Sequence, residues 1–123
     1  MIIWGCHDPA TAEQEWWFID TNNGYYWIQN RKSLKCLTVL NNSTADNAAV
    51  IQYDCNLGDN EQWFPQYQFY DLDFNKDAYV LINRHSGRCL TVKNASSSDG
   101  ATLLQFGCNV GRNQQWTWYT PVR

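Results

Sequence analysis

Short runs in which apolar and polar residues alternate recur about every ten positions along this 123-residue chain, separated by turn-forming residues. A period of two marks strands with one buried face, and no stretch carries the wider spacing of a helical stripe. The pattern therefore predicts an all-β barrel or sandwich. The expected strands cover 1–6, 14–20, 25–30, 36–40, 48–55 and 62–66, the last closed by Pro65. After a linking segment over 67–76, the cycle resumes with strands over 78–83, 88–93, 101–108 and 115–120. Thr21-Asn-Asn-Gly24 reads as a turn, while 41–47 and 56–60 read as polar loops.

The pattern also repeats at long range. The stretch from Cys36 to Trp63 returns 53 residues later, from Cys89 to Trp116, without a gap. Cys36/Cys89, Thr38/Thr91, Asp46/Asp99, Gln52/Gln105, Cys55/Cys108, Asn60/Asn113 and Trp63/Trp116 fall in step. A half copy sits at the front, where Trp4-Gly-Cys6 and Gln14-Glu-Trp16 echo Tyr53-Asp-Cys55 and Glu61-Gln-Trp63. Repetition at this period means stacked supersecondary units.

The length allows one domain with a single core. Seven tryptophans and seven tyrosines exceed what that core needs, so some are expected on the surface, with Trp4, Trp17, Tyr25, Tyr26 and Trp27 as a candidate contact patch. A net charge of −3 and no Lys/Arg cluster argue against nucleic acid as a partner. No apolar run is long enough for a membrane helix, and the first residues lack the charged start of a signal peptide. Matching positions imply matching use, so Cys36–Cys55 and Cys89–Cys108 are the expected disulfides, with Cys6 left odd. Disulfides place the protein in an oxidising, secreted or extracellular setting. Zinc is the weaker use of these cysteines, because no Cys-x-x-Cys is present and His7 and His85 are the only histidines. No cofactor or metal is expected. His85 and His7 lie near no candidate nucleophile and no motif pairs two carboxylates, so the chain does not read as an enzyme.

A four-strand unit with an internal cysteine pair and a closing Gln-x-Trp resembles the ricin B-chain type β-trefoil, a family that includes the carbohydrate-binding modules of many bacterial glycosidases. The copies here are Gln14-Glu-Trp16, the degenerate Glu61-Gln-Trp63 and Gln114-Gln-Trp116. The resemblance implies three units around a barrel with these tryptophans in the core. It maps the second half of the first unit to 1–20, the second to 25–68 and the third to 78–120. The first unit is thus expected to be incomplete, leaving edges that a fragment's missing residues, a protein partner or self-association would cover.

The family implies a shallow sugar pocket in each unit, built from an Asp after the first Cys, an aromatic before the second Cys and the Asn-Gln before the core Trp. Here the second unit supplies Thr38, Tyr53, Asn60 and Glu61, and the third supplies Thr91, Phe106, Asn113 and Gln114. An aromatic face packs on the C–H face of a pyranose, and amides and carboxylates bond its hydroxyls. Thr in place of Asp removes an acceptor for two charge-assisted bonds, a loss of ~1.5–3 kcal/mol. Glu61 could return a carboxylate to the second pocket, which ranks that pocket above the third. Tyr53 and Phe106 equally suit half-exposed packing, Asn60 and Asn113 equally suit loop closure, and Asp46 and Asp99 suit turns. The chain therefore reads as a weak, non-catalytic lectin for galactose-type or xylan-type sugars. The alternative is a trefoil with decayed pockets that serves as a protein-interaction subunit of a toxin or another multichain assembly.

Overall fold

The computed structural model describes residues 2–3, 15–56, 58–72, 76–92, 103–109 and 111–116. Among these residues there are nine strands: β1 (Ile2–Ile3), β2 (Glu15–Asp20), β3 (Tyr26–Asn30), β4 (Cys36–Val39), β5 (Val50–Tyr53), β6 (Trp63–Asp71), β7 (Lys76–Asn83), β8 (Cys89–Val92) and β9 (Leu103–Phe106). Antiparallel pairing runs β1-β2-β3-β6-β7-β8-β9, and β4 branches from β3 to pair with β5. Single turns of 3-10 helix at Leu40–Asn42, Asp59–Glu61 and Arg112–Gln114 interrupt the two predicted polar loops and their third-unit counterpart.

The sequence repeat is a repeat of hydrogen-bond register. Cys36 faces Tyr53 and Val39 faces Val50 across β4–β5; 53 residues on, Cys89 faces Phe106 and Val92 faces Leu103 across β8–β9. The turns match as well. The Asn30 side-chain oxygen accepts from the N–H groups of Lys32 and Ser33, and that of Asn83 accepts from those of His85 and Ser86. Such side-chain turns shape the backbone where no ladder can. Both disulfides form as expected, Cys36–Cys55 and Cys89–Cys108. Cys6, Trp4 and the Asp99 loop lie outside the described residues.

β-Branched and leucine side chains alternate inward to build one core, from Trp16, Ile28, Leu37, Val39, Val50, Trp63, Leu81, Leu90 and Leu103, with Trp116 packed against it. The tryptophans predicted for the core are there. The indole N–H of Trp63 donates to the Leu37 carbonyl and that of Trp116 to the Leu90 carbonyl, each at 3.1 Å. These two indoles thus keep their one donor satisfied.

One predicted boundary is wrong. The segment over 67–76 is not a plain link, because β6 continues past Pro65 to Asp71 and forms a long hairpin with β7, bulged between Tyr67 and Phe69. Proline does not end this strand because it lacks a donor on only one side. β6 meets β3 at Trp63, and strand N–H groups alternate sides, so the Pro65 nitrogen faces the β3 side two residues beyond their last pairing. Its Leu81 partner on β7 loses nothing.

Each disulfide closes a loop with a sequence separation of 19. Non-reducing peptide mapping should return these two links. Replacing either pair by serine should lower the unfolding free energy by about 3 kcal/mol in denaturant titration. A Cys55–Cys89 link would overturn the assignment.

Candidate functional site

Each unit ends in a loop that folds back on itself. Asn56 Oδ1 accepts from the Gly58 N–H, and Asn109 Oδ1 accepts from the Gly111 N–H, both at 2.6 Å. A Cβ on Gly58 would lie 2.8 Å from Asn56 Oδ1 and 2.9 Å from Asn60 Oδ1, so a side chain there would displace the two amides that shape the loop. The following asparagine ties the loop to the central strand: Asn60 Nδ2 donates to the Val39 carbonyl and Asn113 Nδ2 to the Val92 carbonyl. The loop-closing role foreseen for these asparagines is therefore what the structure shows.

In the second unit Thr38 and Glu61 meet inside the fold. Glu61 is fully buried, with Oε1 accepting from the Asn56 N–H at 2.6 Å and Oε2 lying 2.8 Å from Thr38 Oγ1. Thr38 Oγ1 also lies 3.0 Å from the Cys36 carbonyl. The carboxyl expected to face a ligand thus has both oxygens engaged by the protein. Burial pushes its pKa above the ordinary 4.5, against the opposing pull of the Asn56 and Thr38 hydrogen bonds, and Asp54 adds to the rise. Tyr53 stands exposed opposite Cys36, on the same face of the β4–β5 pair as Thr38.

The third unit shows what that carboxyl imitates. Gln114 Oε1 accepts from the Asn109 N–H at 2.7 Å, and its Nε2 donates to Thr91 Oγ1 at 3.1 Å, while Thr91 donates to the Cys89 carbonyl. A protonated Glu61 would reproduce the links to Asn56 and Thr38, leaving Thr38 free to donate to Cys36, but it has no counterpart for the second N–H of Gln114, which donates to the Gly107 carbonyl. A threonine hydroxyl has one proton and cannot serve both Cys36 and a charged Glu61.

Thr91, Phe106, Asn113 and Gln114 are brought together around a cavity of about 460 Å³. None of its lining residues is ionisable. Phe106 contributes a ring that is 37% exposed. Leu103 and Leu104 add apolar wall, and Asn109 adds an amide. The volume falls within the range of small-molecule sites.

The sequence reading missed one wall. Asn47 and Ala49 of the second unit also line this third-unit cavity. They are carried there because the loop after β4 lies along the free edge of β9: the Asn47 N–H donates to the Gln105 carbonyl and the Gln105 N–H to the Ala48 carbonyl. Gln105, fully buried, donates from Nε2 to the carbonyls of Ser43 and Ala45. Asp46 is no simple turn former, since its carboxylate accepts from Arg88 and from the Gly107 N–H. The identities Asp46/Asp99 and Gln52/Gln105 were the available signal, but they served only to fix register. The surface patch also differs from expectation. Trp17, Tyr25, Tyr26 and Trp27 are half-buried, with Trp27 donating to the Asn56 carbonyl and Arg84 lying over the Tyr25 ring. Exposed aromatics gather instead on the β6–β7 hairpin, at Phe64, Tyr67, Phe69 and Tyr70.

Comparison with known proteins places this geometry. A designed three-fold symmetric protein, ThreeFoil, is 45% identical with a TM-score of 0.75, over 87% of this chain and 72% of that one. An exo-β-1,3-galactanase from Clostridium thermocellum, 1,3Gal43A, is 32% identical with a TM-score of 0.76. The match covers 87% of this chain, which spans only 22% of that enzyme. The ricin B-like lectin of Macrolepiota procera, solved with lactose, shares the fold at 16% identity and a TM-score of 0.67, over 87% of this chain and 70% of that one. Residues 12–73 and 65–122 each match the family described as ricin-type beta-trefoil lectin domain-like. The fold is a β-trefoil, and the chain belongs to the ricin-type β-trefoil lectin domain-like family.

Proposed function

We propose that this chain is a secreted, non-catalytic carbohydrate-binding domain whose working site is the third-unit cavity, with a galactose-type sugar as ligand. The observation that carries the reading is that cavity. The four side chains singled out in the third unit surround one uncharged space beside an exposed ring. A neutral ring with one apolar face and several hydroxyls matches those walls. Phe106 takes the C–H face, while Asn113 Oδ1 and Asn109 Nδ2, which make no hydrogen bond among the described residues, face hydroxyls. Thr91 supplies little, because its hydroxyl is committed to Cys89, so binding is weak. The galactanase neighbour at 32% identity favours galactose-type over xylan-type sugars.

The second unit loses its place at the head of the ranking. Thr38 and Glu61 hold its loop to its central strand, and the carboxylate that would have recognised two hydroxyls is used internally. The other reading, a protein-interaction subunit, is favoured by the exposed aromatics of the β6–β7 hairpin.

Titration against β-1,3-galacto-oligosaccharides, lactose and xylo-oligosaccharides tests the proposal. Phe106→Ala should weaken binding about tenfold, the loss of one stacking face, while Tyr53→Ala should change it less than twofold, or about 0.4 kcal/mol. The reverse order would return the site to the second unit. A folded wild type that binds no sugar would leave the interaction reading.

The buried carboxyl gives a separate test. Glu61 has a raised pKa when folded, so the native state holds its proton more tightly than the unfolded chain does. The associated stability is fully present below the ordinary value of 4.5 and is lost as pH rises through the folded value. Glu61→Gln, which copies Gln114, should therefore melt near wild type in acid and above it at neutral pH. A variant that melts lower than wild type at neutral pH would show that the ionised form is the stabilised one.

A further inference from the structure

The third-unit cavity has a polar group that the internal repeat does not assign to it. Its own polar side chains are largely spent on the fold. Gln114 is fully buried and bonds Asn109, Thr91 and the Gly107 carbonyl. Thr91 donates to Cys89, and Asn113 donates to Val92. Asn47 is different. It lines the same cavity, its residue is exposed, and among the described residues its side-chain amide makes no hydrogen bond. Both ends of that amide, a carbonyl oxygen and two N–H donors, are available to a ligand.

Its position is fixed from both sides. The Asn47 N–H is bound to Gln105 at 2.8 Å, and Ala49 bridges Leu104 on β9. The residue before it, Asp46, is held by Arg88 and by the Gly107 N–H at 2.8 Å. Asn47 has a φ of 70°, in the left-handed region, where asparagine is tolerated and glycine is at ease. The repeat places Gly100 at the equivalent position of the third unit, so the backbone there does not need a side chain. The asparagine is thus kept in a conformation that glycine fits better, and its free amide faces solvent at a cavity mouth.

We propose that Asn47, delivered from the second unit, is the specificity-determining side chain of the third-unit site, bonding a hydroxyl of the bound sugar and discriminating its configuration. This rests on the reading of the cavity as a sugar site. An amide with a donor and an acceptor fixed by backbone clamps on both sides rewards one hydroxyl orientation and leaves its epimer unmatched. Phe106 recognises any pyranose with a flat C–H face, whereas Asn47 separates sugars that differ at one carbon.

Asn47→Gly is the variant of choice, because it removes the amide and relaxes the backbone together. Wild type and variant are titrated with lactose and with cellobiose, which differ in the configuration of one hydroxyl on the terminal ring. Asn47→Gly should bind the preferred sugar about three- to tenfold more weakly, the loss of one hydrogen bond, and its preference between the two sugars should shrink. The melting temperature should not fall. As a second measurement that needs no variant, the Asn47 side-chain amide resonances of the wild type should shift on titration. Unchanged affinity and preference in Asn47→Gly, or amide resonances that do not move while wild type binds, overturns the inference and leaves the sugar reading standing. A folded wild type that binds neither the preferred sugar nor any galacto-oligosaccharide overturns both.

Discussion

An indole N–H at the end of a unit, bound to a carbonyl near that unit's beginning, is the contact on which the rest depends. Trp63 reaches Leu37 and Trp116 reaches Leu90 at the same 3.1 Å, and the rings lie in or against the common core. A four-strand unit is too small to bury its apolar face alone. The tryptophan fills the space between its first and last strands and takes its only polar atom to a backbone group that would otherwise be stranded. Once that bond fixes where a unit ends, the loop before the tryptophan must turn back over β4 or β8. That turn brings Asn60 and Glu61, or Asn113 and Gln114, against the central threonine. The cavity in the third unit is a by-product of this closure.

Much of this was legible in the sequence because the chain states it twice. The 53-residue register predicted matching strands and the two disulfides, which depend on spacing, and the family resemblance implied the core tryptophans. What failed depended on direction or on contacts between copies. Pro65 looked like a strand end because composition does not say which side its nitrogen faces. Glu61 looked like a ligand-binding carboxylate because a sequence does not show that Gln114, its counterpart, sits in a dry place with every bond made. Asp46 looked like a turn residue because its partners, Arg88 and Gly107, lie in the other unit. Local patterns carry no information about such partners.

The comparison of Glu61 with Gln114 also shows how two copies diverge without changing shape. The carbon skeletons and two of the partners match, and an amide with two N–H donors is exchanged for a carboxyl that carries at most one proton. One copy therefore keeps a fixed hydrogen-bond pattern at every pH, and the other inherits the shared part of that pattern only while its acid stays neutral. The exposed ring of Phe106 stands beside the fixed copy and that of Tyr53 beside the variable one.

The placement of Asn47 and Ala49 on a neighbour's cavity has a combinatorial consequence. In an array built throughout like this pair, no unit would carry a whole cavity: each would bring the floor of its own and one wall of the next. An open row of such units holds one fewer complete site than it has units, and closing the row into a ring supplies the missing one. Duplication of a single unit would therefore add a site only by borrowing from what already stands beside it. A substitution in one copy's loop would be felt as altered selectivity in the following copy.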